Sequence, residues 1–382
     1  MSALAATLFL HIGSAPAIAS SIDSVDRIRE DQWHLHYLRI SEAHKFSKGE
    51  GVTVAVPDTG LDPHPDLNRN VTPGTDLTRS NGNGLVDQDS HGTGMAGLIA
   101  ASGLDNNRGA LGIAPRSKVL PVRTKVTNED GDSDLLAAGI TFAAKQSVDV
   151  ISVSSIAEPT TKLQKALDVA VGADIVVVAA AGNRPRDNEV KFPAAHPNVI
   201  AVGGIDRNGE HVDFSVSGPE LDVSAPAVDI YSTSYAGKYR KGTGTSEATA
   251  IVAGAVALIR ARFPSLPARE VVHRLTATAV DKGPPGRDDQ YGHGVIDLVA
   301  ALTADVPPLG SVPTADPPAG DGPTVTTDVA VGDGPGAKGS GEDGSGVRGW
   351  VTLGVLLAAG GGWAYVVRRR RSGDDPPPRI SR

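Results

Sequence analysis

The stretch Val52-Thr-Val-Ala-Val-Pro-Asp-Thr-Gly60 is a run of apolar and β-branched residues that ends in an aspartate and a glycine turn. Such a run predicts a buried strand that ends close to the aspartate. Further along the chain, apolar runs alternate with segments of helical spacing. Residues 134–146 and 161–172 have helical spacing, and an apolar run follows each of them, at residues 148–153 and 174–179. This alternation predicts an α/β fold with a mostly parallel central sheet covered by helices on both faces. In such sheets the active site lies at the carboxyl ends of the strands.

Three short motifs carry residues with catalytic chemistry: Asp58-Thr59-Gly60, His91-Gly92-Thr93-Gly94 and Gly244-Thr245-Ser246. A serine hydroxyl is a weak nucleophile until a base takes its proton. Histidine is the natural base near neutral pH, and a carboxylate can fix its tautomer. The third motif opens a predicted long helix, so the backbone N–H of Ser246 can bind a developing oxyanion, and Asn183 can supply a second donor. Each motif alone is also typical of a turn, a loop or a helix cap.

Taken together and in this order, the motifs resemble those of the subtilisin-like serine proteases, the subtilases, over about residues 48–300. The matching stretches are Val54–Gly60, His91–Gly94, Val150–Ser155, Ala180–Asn183, Phe214–Pro219, Asp222–Pro226 and Gly244–Ser246. The resemblance implies a subtilisin-like three-layer fold in which Asp58, His91 and Ser246 form the triad. It also implies that Asn183 is the side-chain oxyanion donor, and that Ser154 and Ser155 belong to the backbone segment that pairs with substrate.

Within that family the likeness is closest to the mycosins, which are membrane-anchored proteases linked to type VII secretion in actinobacteria. It rests on Gln32-Trp33, on Ala43-His44, and on the linker and C-terminal anchor predicted in the next paragraph. Mycosins with disulfides are known, whereas this chain contains no cysteine. The resemblance implies a protein or peptide substrate and an association with the type VII secretion machinery.

Both ends of the chain predict a single-pass protein of the cell membrane with its peptidase domain outside the cell. Residues 1–19 are mostly small and apolar and end in an A-x-A cleavage pattern, which predicts a signal peptide without the usual basic start. Residues 304–348 are rich in Gly, Pro, Asp and Thr and predict a disordered linker. Residues 349–367 carry no charge and precede four arginines, which predicts a transmembrane helix followed by a cytoplasmic tail over residues 368–382. The remaining segments are an N-terminal extension (residues 20–47) and the peptidase domain (residues 48–303).

The charge distribution bears on ligands and specificity. A net charge of −8 leaves no basic footprint for nucleic acid, and we predict no cofactor.

Asp87 and Asp89 fit a structural calcium, but without an EF-hand pattern a solvated acidic loop is favoured. Asp130 and Asp132 lie in an acidic segment of the region that lines upstream substrate pockets in subtilases. They predict a preference for basic substrate side chains, with a loop that points to solvent as the alternative.

Glu247 departs from the family pattern because it places a carboxylate directly after Ser246. We expect this carboxylate either to act on His91 or to turn to solvent at the helix start. The leading prediction for function is an active endopeptidase. The alternative is a catalytically weak or inactive anchored scaffold that binds a secretion or cell-wall partner. A lipase or esterase is disfavoured because no G-x-S-x-G pattern surrounds Ser246.

Overall fold

The computed structural model describes residue 25 and residues 27–79, 81–128 and 131–310. The predicted signal peptide, most of the predicted linker, the predicted transmembrane helix, the basic tail and Asp130 lie outside these residues. Within the described ranges, no helix is both long and apolar enough to span a bilayer.

The described chain alternates strands and helices. In chain order the strands are β1 (Thr53–Asp58), β2 (Thr75–Asp76), β3 (Ser102–Leu104), β4 (Arg108–Leu111), β5 (Lys118–Arg123), β6 (Val150–Val153), β7 (Val176–Ala180), β8 (Ile200–Ile205), β9 (Val223–Pro226), β10 (Ile230–Thr233) and β11 (Tyr239–Gly242). The helices are α1 (Ile28–Asp31), α2 (Trp33–Tyr37), α3 (Ile40–Ala43), α4 (His91–Ala100), α5 (Ser133–Lys145), α6 (Thr161–Gly172), α7 (Thr245–Arg262), α8 (Ala268–Ala277) and α9 (Leu298–Thr303).

The central sheet has the spatial order β2-β5-β1-β6-β7-β8-β9, and its strands pair in parallel. Two antiparallel pairs, β3 with β4 and β10 with β11, lie outside it. The predicted α/β fold with a mostly parallel sheet is therefore confirmed. Strand β1 lies between β5 and β6, and at its carboxyl end Asp58 pairs with Arg123 of β5.

Side chains of the sheet alternate between two cores, one on each face. Along β1, Val54 and Val56 belong to the core formed with α4 and α7, whereas Ala55 belongs to the core formed with α5 and α6. Both faces are apolar because both are covered by helices, which explains why the strands are continuous apolar runs in the sequence.

Helix α7 lies inside the molecule. Of its 18 residues, 15 are buried, and most of them are Ala, Val, Ile, Leu or Thr. A helix that is apolar all round is stable only when it is enclosed by other elements. Its packing against α4 and the sheet gives Ser246, in its first turn, a rigid support.

The N-terminal extension packs on the same core as α7. Its buried apolar residues are Ile28, Leu35, Leu38, Ile40 and Ala43. The Gln32 amide donates to the Leu111 carbonyl at 3.1 Å and accepts from the Leu111 N–H at 2.8 Å. The Trp33 indole N–H donates to the Val228 carbonyl at 2.9 Å. These contacts make helices α1 to α3 part of the folded domain.

Candidate active site

The Asp58 carboxylate and the His91 imidazole form a buried hydrogen-bonded pair at the carboxyl end of β1. Nδ1 of His91 lies 2.9 Å from Oδ1 and 3.0 Å from Oδ2 of Asp58. Burial acts to raise the pKa of Asp58, but the charges of His91 and Lys125 and hydrogen bonds from His91 and the Thr59 N–H outweigh it and lower this pKa to about 2. Because Nδ1 donates to the carboxylate, Nε2 is the ring nitrogen left to accept a proton.

Helix α4 begins directly against the turn that follows β1. The Thr59 hydroxyl accepts from the Gly92 N–H at 2.9 Å and donates to Asp87 at 2.9 Å. A Cβ on Gly92 would lie 2.1 Å from the Gly60 carbonyl oxygen, so only glycine permits this approach. Asp87 also accepts from the Thr93 N–H at 2.9 Å, which satisfies one of the free donors at the helix start. These contacts hold His91, the first residue of α4, beside Asp58.

Asp87 and Asp89, the residues weighed for calcium, have protein partners. Asp87 accepts the hydrogen bonds at the start of α4, and Asp89 accepts from the Asn128 N–H at 2.8 Å. In the described part of the chain, no cluster of three or more His, Cys, Asp or Glu side chains is arranged to hold a metal ion.

Ser246 and Asn183 meet at the amino end of α7. The Asn183 Oδ1 atom accepts from the Thr245 N–H at 3.0 Å and from the Thr245 hydroxyl at 3.3 Å. These bonds fix the amide so that Nδ2 is the atom left to donate. Asn183 and Ser246 line the same small pocket, so a side-chain donor and the N–H of a helix start lie beside one another.

Ser154 and Ser155 lie just beyond the end of β6, in the wall of that pocket. The Ser154 hydroxyl donates to the Ser246 carbonyl at 3.1 Å, so this segment contacts the nucleophile's own backbone. The structure thus places both serines in the wall of the pocket that Ser246 also lines. The full lining is Lys125, Asn128, Ser154, Ser155, Ile156, Ala180, Gly182, Asn183, Arg186, Thr245 and Ser246.

Asp132 has a structural role. Its Oδ1 atom accepts from the N–H groups of Asp134 and Leu135 at 2.8 Å and 2.9 Å, which makes Asp132 the N-cap of α5. The charged side chains that line the pocket beside Ser246 are Lys125 and Arg186, both cations. The pocket therefore offers no carboxylate of its own to a basic substrate side chain among the described residues.

Glu247 has neither of the two environments that its sequence position predicted. Its side chain is buried, and Oε1 lies 3.1 Å from Nη1 of Arg240 on β11. The carboxylate packs against Gly242. A Cβ at that position would lie 1.9 Å from Oε1, so a larger residue there would displace the Glu247 side chain. The Arg240 charge neutralises Glu247, so its carboxylate is neither free to act on His91 nor turned to solvent.

Two further residues beside Asp58 carry no motif signal. Arg123 is fully buried and donates through Nε to the Thr59 carbonyl at 3.0 Å, with Asp76 as its ion-pair partner at 3.1 Å. Lys125 is also buried and places Nζ 3.7 Å from Oδ1 of Asp58. A cation after an apolar strand is a weak sequence signal, and only the pairing of β5 with β1 reveals what these side chains contact.

Comparison with known proteins agrees with this geometry. The profile of the Subtilase family matches residues 49–294. The chain is 37% identical over 334 residues to Mycosin-1 of Mycobacterium tuberculosis. The match covers 72% of this chain and 74% of that protein. The chain belongs to the subtilase family of serine endopeptidases, and within it the chain is similar to the mycosins.

Solved structures extend the similarity to three dimensions. The chain is similar to the serine protease MycP1, described as an essential component of the type VII (ESX-1) secretion system. The TM-score is 0.64 and the identity 35%, and the match covers 71% of this chain and 88% of that one. It is also similar to a chain in the periplasmic assembly of the ESX-5 inner membrane complex, with a TM-score of 0.66, 30% identity, and coverage of 80% and 90%. The predicted subtilisin-like fold and mycosin-like family are thus confirmed.

Proposed function

We propose that this chain hydrolyses peptide bonds through an acyl-enzyme formed on Ser246. His91 Nε2 takes the proton from the Ser246 hydroxyl, and Oγ attacks the carbonyl carbon of the scissile bond. The resulting oxyanion accepts hydrogen bonds from the Ser246 N–H and from Asn183 Nδ2. His91 then gives its proton to the leaving amine, and a water molecule releases the acyl group by the same steps in reverse.

The single observation that carries this proposal is the Asp58–His91 pair with both carboxylate oxygens within 3.0 Å of Nδ1. An ionised, buried carboxylate stabilises the imidazolium that forms when His91 takes a proton. The fixed Asn183 amide supports the same conclusion because it supplies the second oxyanion donor. The buried Arg240–Glu247 pair removes the main reason to expect an inactive scaffold.

A peptide library tests the proposal. We expect the purified full-length protein to cleave internal peptide bonds and Ser246→Ala to remove that cleavage while the thermal unfolding transition stays in place. Failure of the wild type on a broad library would favour the inactive scaffold instead. Equal cleavage by the wild type and Ser246→Ala would overturn the assignment of the nucleophile.

We further propose that the protein works outside the cytoplasm, anchored by residues 349–367, in association with a type VII secretion machine. The apolar N-terminal and C-terminal segments support the topology, and the similarity to MycP1 and to the ESX-5 periplasmic assembly supports the association. A tag after Arg382 should resist external protease in spheroplasts, whereas the peptidase domain should be digested. Protection of the domain would contradict this topology. Co-purification of the tagged chain with secretion-machine subunits from a detergent-solubilised native membrane tests the association.

A further inference from the structure

Lys125 joins three separate segments at the edge of the predicted active site. Its Nζ atom lies 3.1 Å from Asn128 Oδ1, 3.4 Å from the Ser154 carbonyl oxygen and 3.7 Å from Oδ1 of Asp58. The first two contacts are hydrogen bonds, and the third is an ion pair. The side chain of Lys125 is only 6% exposed, so its charge is poorly screened by solvent.

Each contact of Lys125 leads to a residue with a place in the site. Asp58 orients His91, and Ser154 donates to the Ser246 carbonyl at 3.1 Å. Asn128 is itself held through its N–H by Asp89 at 2.8 Å. The ammonium group therefore connects the carboxylate of the triad to the segment that contacts the nucleophile.

The charge of Lys125 also has a consequence for the base. Asp58 stabilises protonated His91, and a second cation beside the same carboxylate opposes that stabilisation. Nζ of Lys125 thus lies against the carboxylate that holds Nδ1 of His91. In general, a base that stays unprotonated at lower pH keeps an enzyme active further into the acid range.

Other charged groups lie around the Asp58–His91 pair, and each has partners of its own. They are Asp87 and Asp89 before α4, the Arg123–Asp76 pair on β5 and β2, the Arg240–Glu247 pair on β11 and α7, and Arg186 with Asp187 at the pocket rim. Asp87 and Asp89 accept hydrogen bonds from backbone N–H groups, and each arginine has a carboxylate partner. Among these groups Lys125 is the cation that lies next to Asp58 itself.

We propose that Lys125 is a positioning residue of the triad, which tethers Asp58 to the Ser154 segment and moves the acid limb of catalysis to lower pH. The proposal rests on the serine-protease function proposed above, and it adds a residue that acts on the base through Asp58. A lysine with a purely structural role would affect the rate or the stability without moving the pH profile.

The test is the pH dependence of kcat/KM for the wild type and three variants. Lys125→Met and Lys125→Gln remove the charge, and the glutamine keeps a hydrogen-bond donor toward Ser154. Both should move the midpoint of the acid limb upward by about half to one pH unit, as expected for loss of a charge near a buried pair. Lys125→Arg should keep the wild-type midpoint. An unmoved limb in a folded Lys125→Gln protein would overturn the proposal.

A second readout does not depend on turnover. In a Ser246→Ala background, the His91 ring titration is followed by NMR with and without Lys125→Met, or with Lys125→Gln if the methionine variant does not fold. We expect the same upward shift, and an unchanged titration would reject the proposal even if the wild type proved inactive on peptides. Lys165→Met, which removes an exposed lysine on α6, is the matched control. An equal shift in that variant would show an effect of net charge and would also overturn the proposal.

Discussion

Asp58 and His34 are both fully buried titratable side chains, and their surroundings are opposite. Asp58 accepts hydrogen bonds from His91 and the Thr59 N–H and has Lys125 beside it, so its pKa is lowered to about 2 in spite of burial. His34 in α2 has no hydrogen-bond partner at either ring nitrogen among the residues that the structure describes, and burial lowers its pKa to about 3. Burial therefore does not decide charge. Asp58 stays charged because of its partners, and His34 stays neutral because it has none.

The largest expected effect comes from removing the charge of Asp58. Asp58→Asn should lower kcat by about 10⁴, because the amide presents the wrong group to Nδ1 and no longer stabilises the imidazolium. Steady-state kinetics on a peptide substrate measures this. Asp168→Asn, which changes an exposed carboxylate on α6, should leave kcat unchanged. A loss of less than tenfold in Asp58→Asn would show that the buried pair is not the catalytic pair.

Asn183→Ala tests the other side of the site. Loss of one oxyanion donor should lower kcat by about 10²–10³ with little change in KM, because the bond forms mainly in the transition state. Asn208→Ala, in an exposed turn, is the matched control. A rise in KM with kcat unchanged would instead place Asn183 in ground-state binding.

The Arg240–Glu247 pair extends the comparison to a buried carboxylate with a single charged partner. Arg240→Gln should destabilise the protein by about 2–4 kcal/mol, because it leaves the Glu247 carboxylate buried without a counter-charge. Denaturant unfolding measures the loss, and the double variant Arg240→Gln/Glu247→Gln should recover most of it. If the double variant is as unstable as Arg240→Gln, the destabilisation comes from packing rather than from the unpaired charge.

The buried His34 should have a smaller effect, which is on the pH dependence of the free energy of unfolding. The pKa of His34 is lower in the folded protein than in the unfolded chain, so below about pH 6.5 the unfolded chain binds a proton that the folded protein does not. The free energy of unfolding therefore falls as the pH is lowered from about 6.5 toward 3. Between pH 7 and pH 5 this should cost the wild type about 2 kcal/mol more than His34→Leu. Unfolding free energies at the two pH values measure the difference. The exposed His36 in the same helix provides the control His36→Leu. Equal losses in the wild type and His34→Leu would show that His34 has a proton-accepting partner or opens to solvent.

The sequence predicted the parts of the fold that depend on local pattern. Helix α6 has the predicted bounds of 161–172, and the long helix predicted to begin at the Gly244-Thr245-Ser246 motif is α7. The strand before Asp58 was also predicted, since a continuous apolar run needs a sheet covered on both faces. The triad of Asp58, His91 and Ser246 was predicted from the resemblance that the three motifs carry, and the structure joins Asp58 to His91.

Contacts between distant segments could not be read from the sequence. The Lys125–Asp58 contact depends on the pairing of β5 with β1, and the Glu247 contact depends on Arg240 from β11. Asp132 gave a local signal, because an aspartate before a helical segment is a typical N-cap, and that interpretation was available without a structure. Helices α1 to α3 are too short to give a periodic pattern, so only packing identifies them.

The mechanism requires that Asp58 and His91 activate Ser246 and that Asn183 stabilises the oxyanion, and covalent labelling is its sharpest test. The full-length protein is treated with a fluorophosphonate at neutral pH, and the adduct is located by peptide mass mapping. We expect one adduct on the peptide that contains Ser246, absent in Ser246→Ala and formed far more slowly in Asp58→Asn. If the folded wild type forms no adduct, or forms it on another serine, Ser246 is not the activated nucleophile.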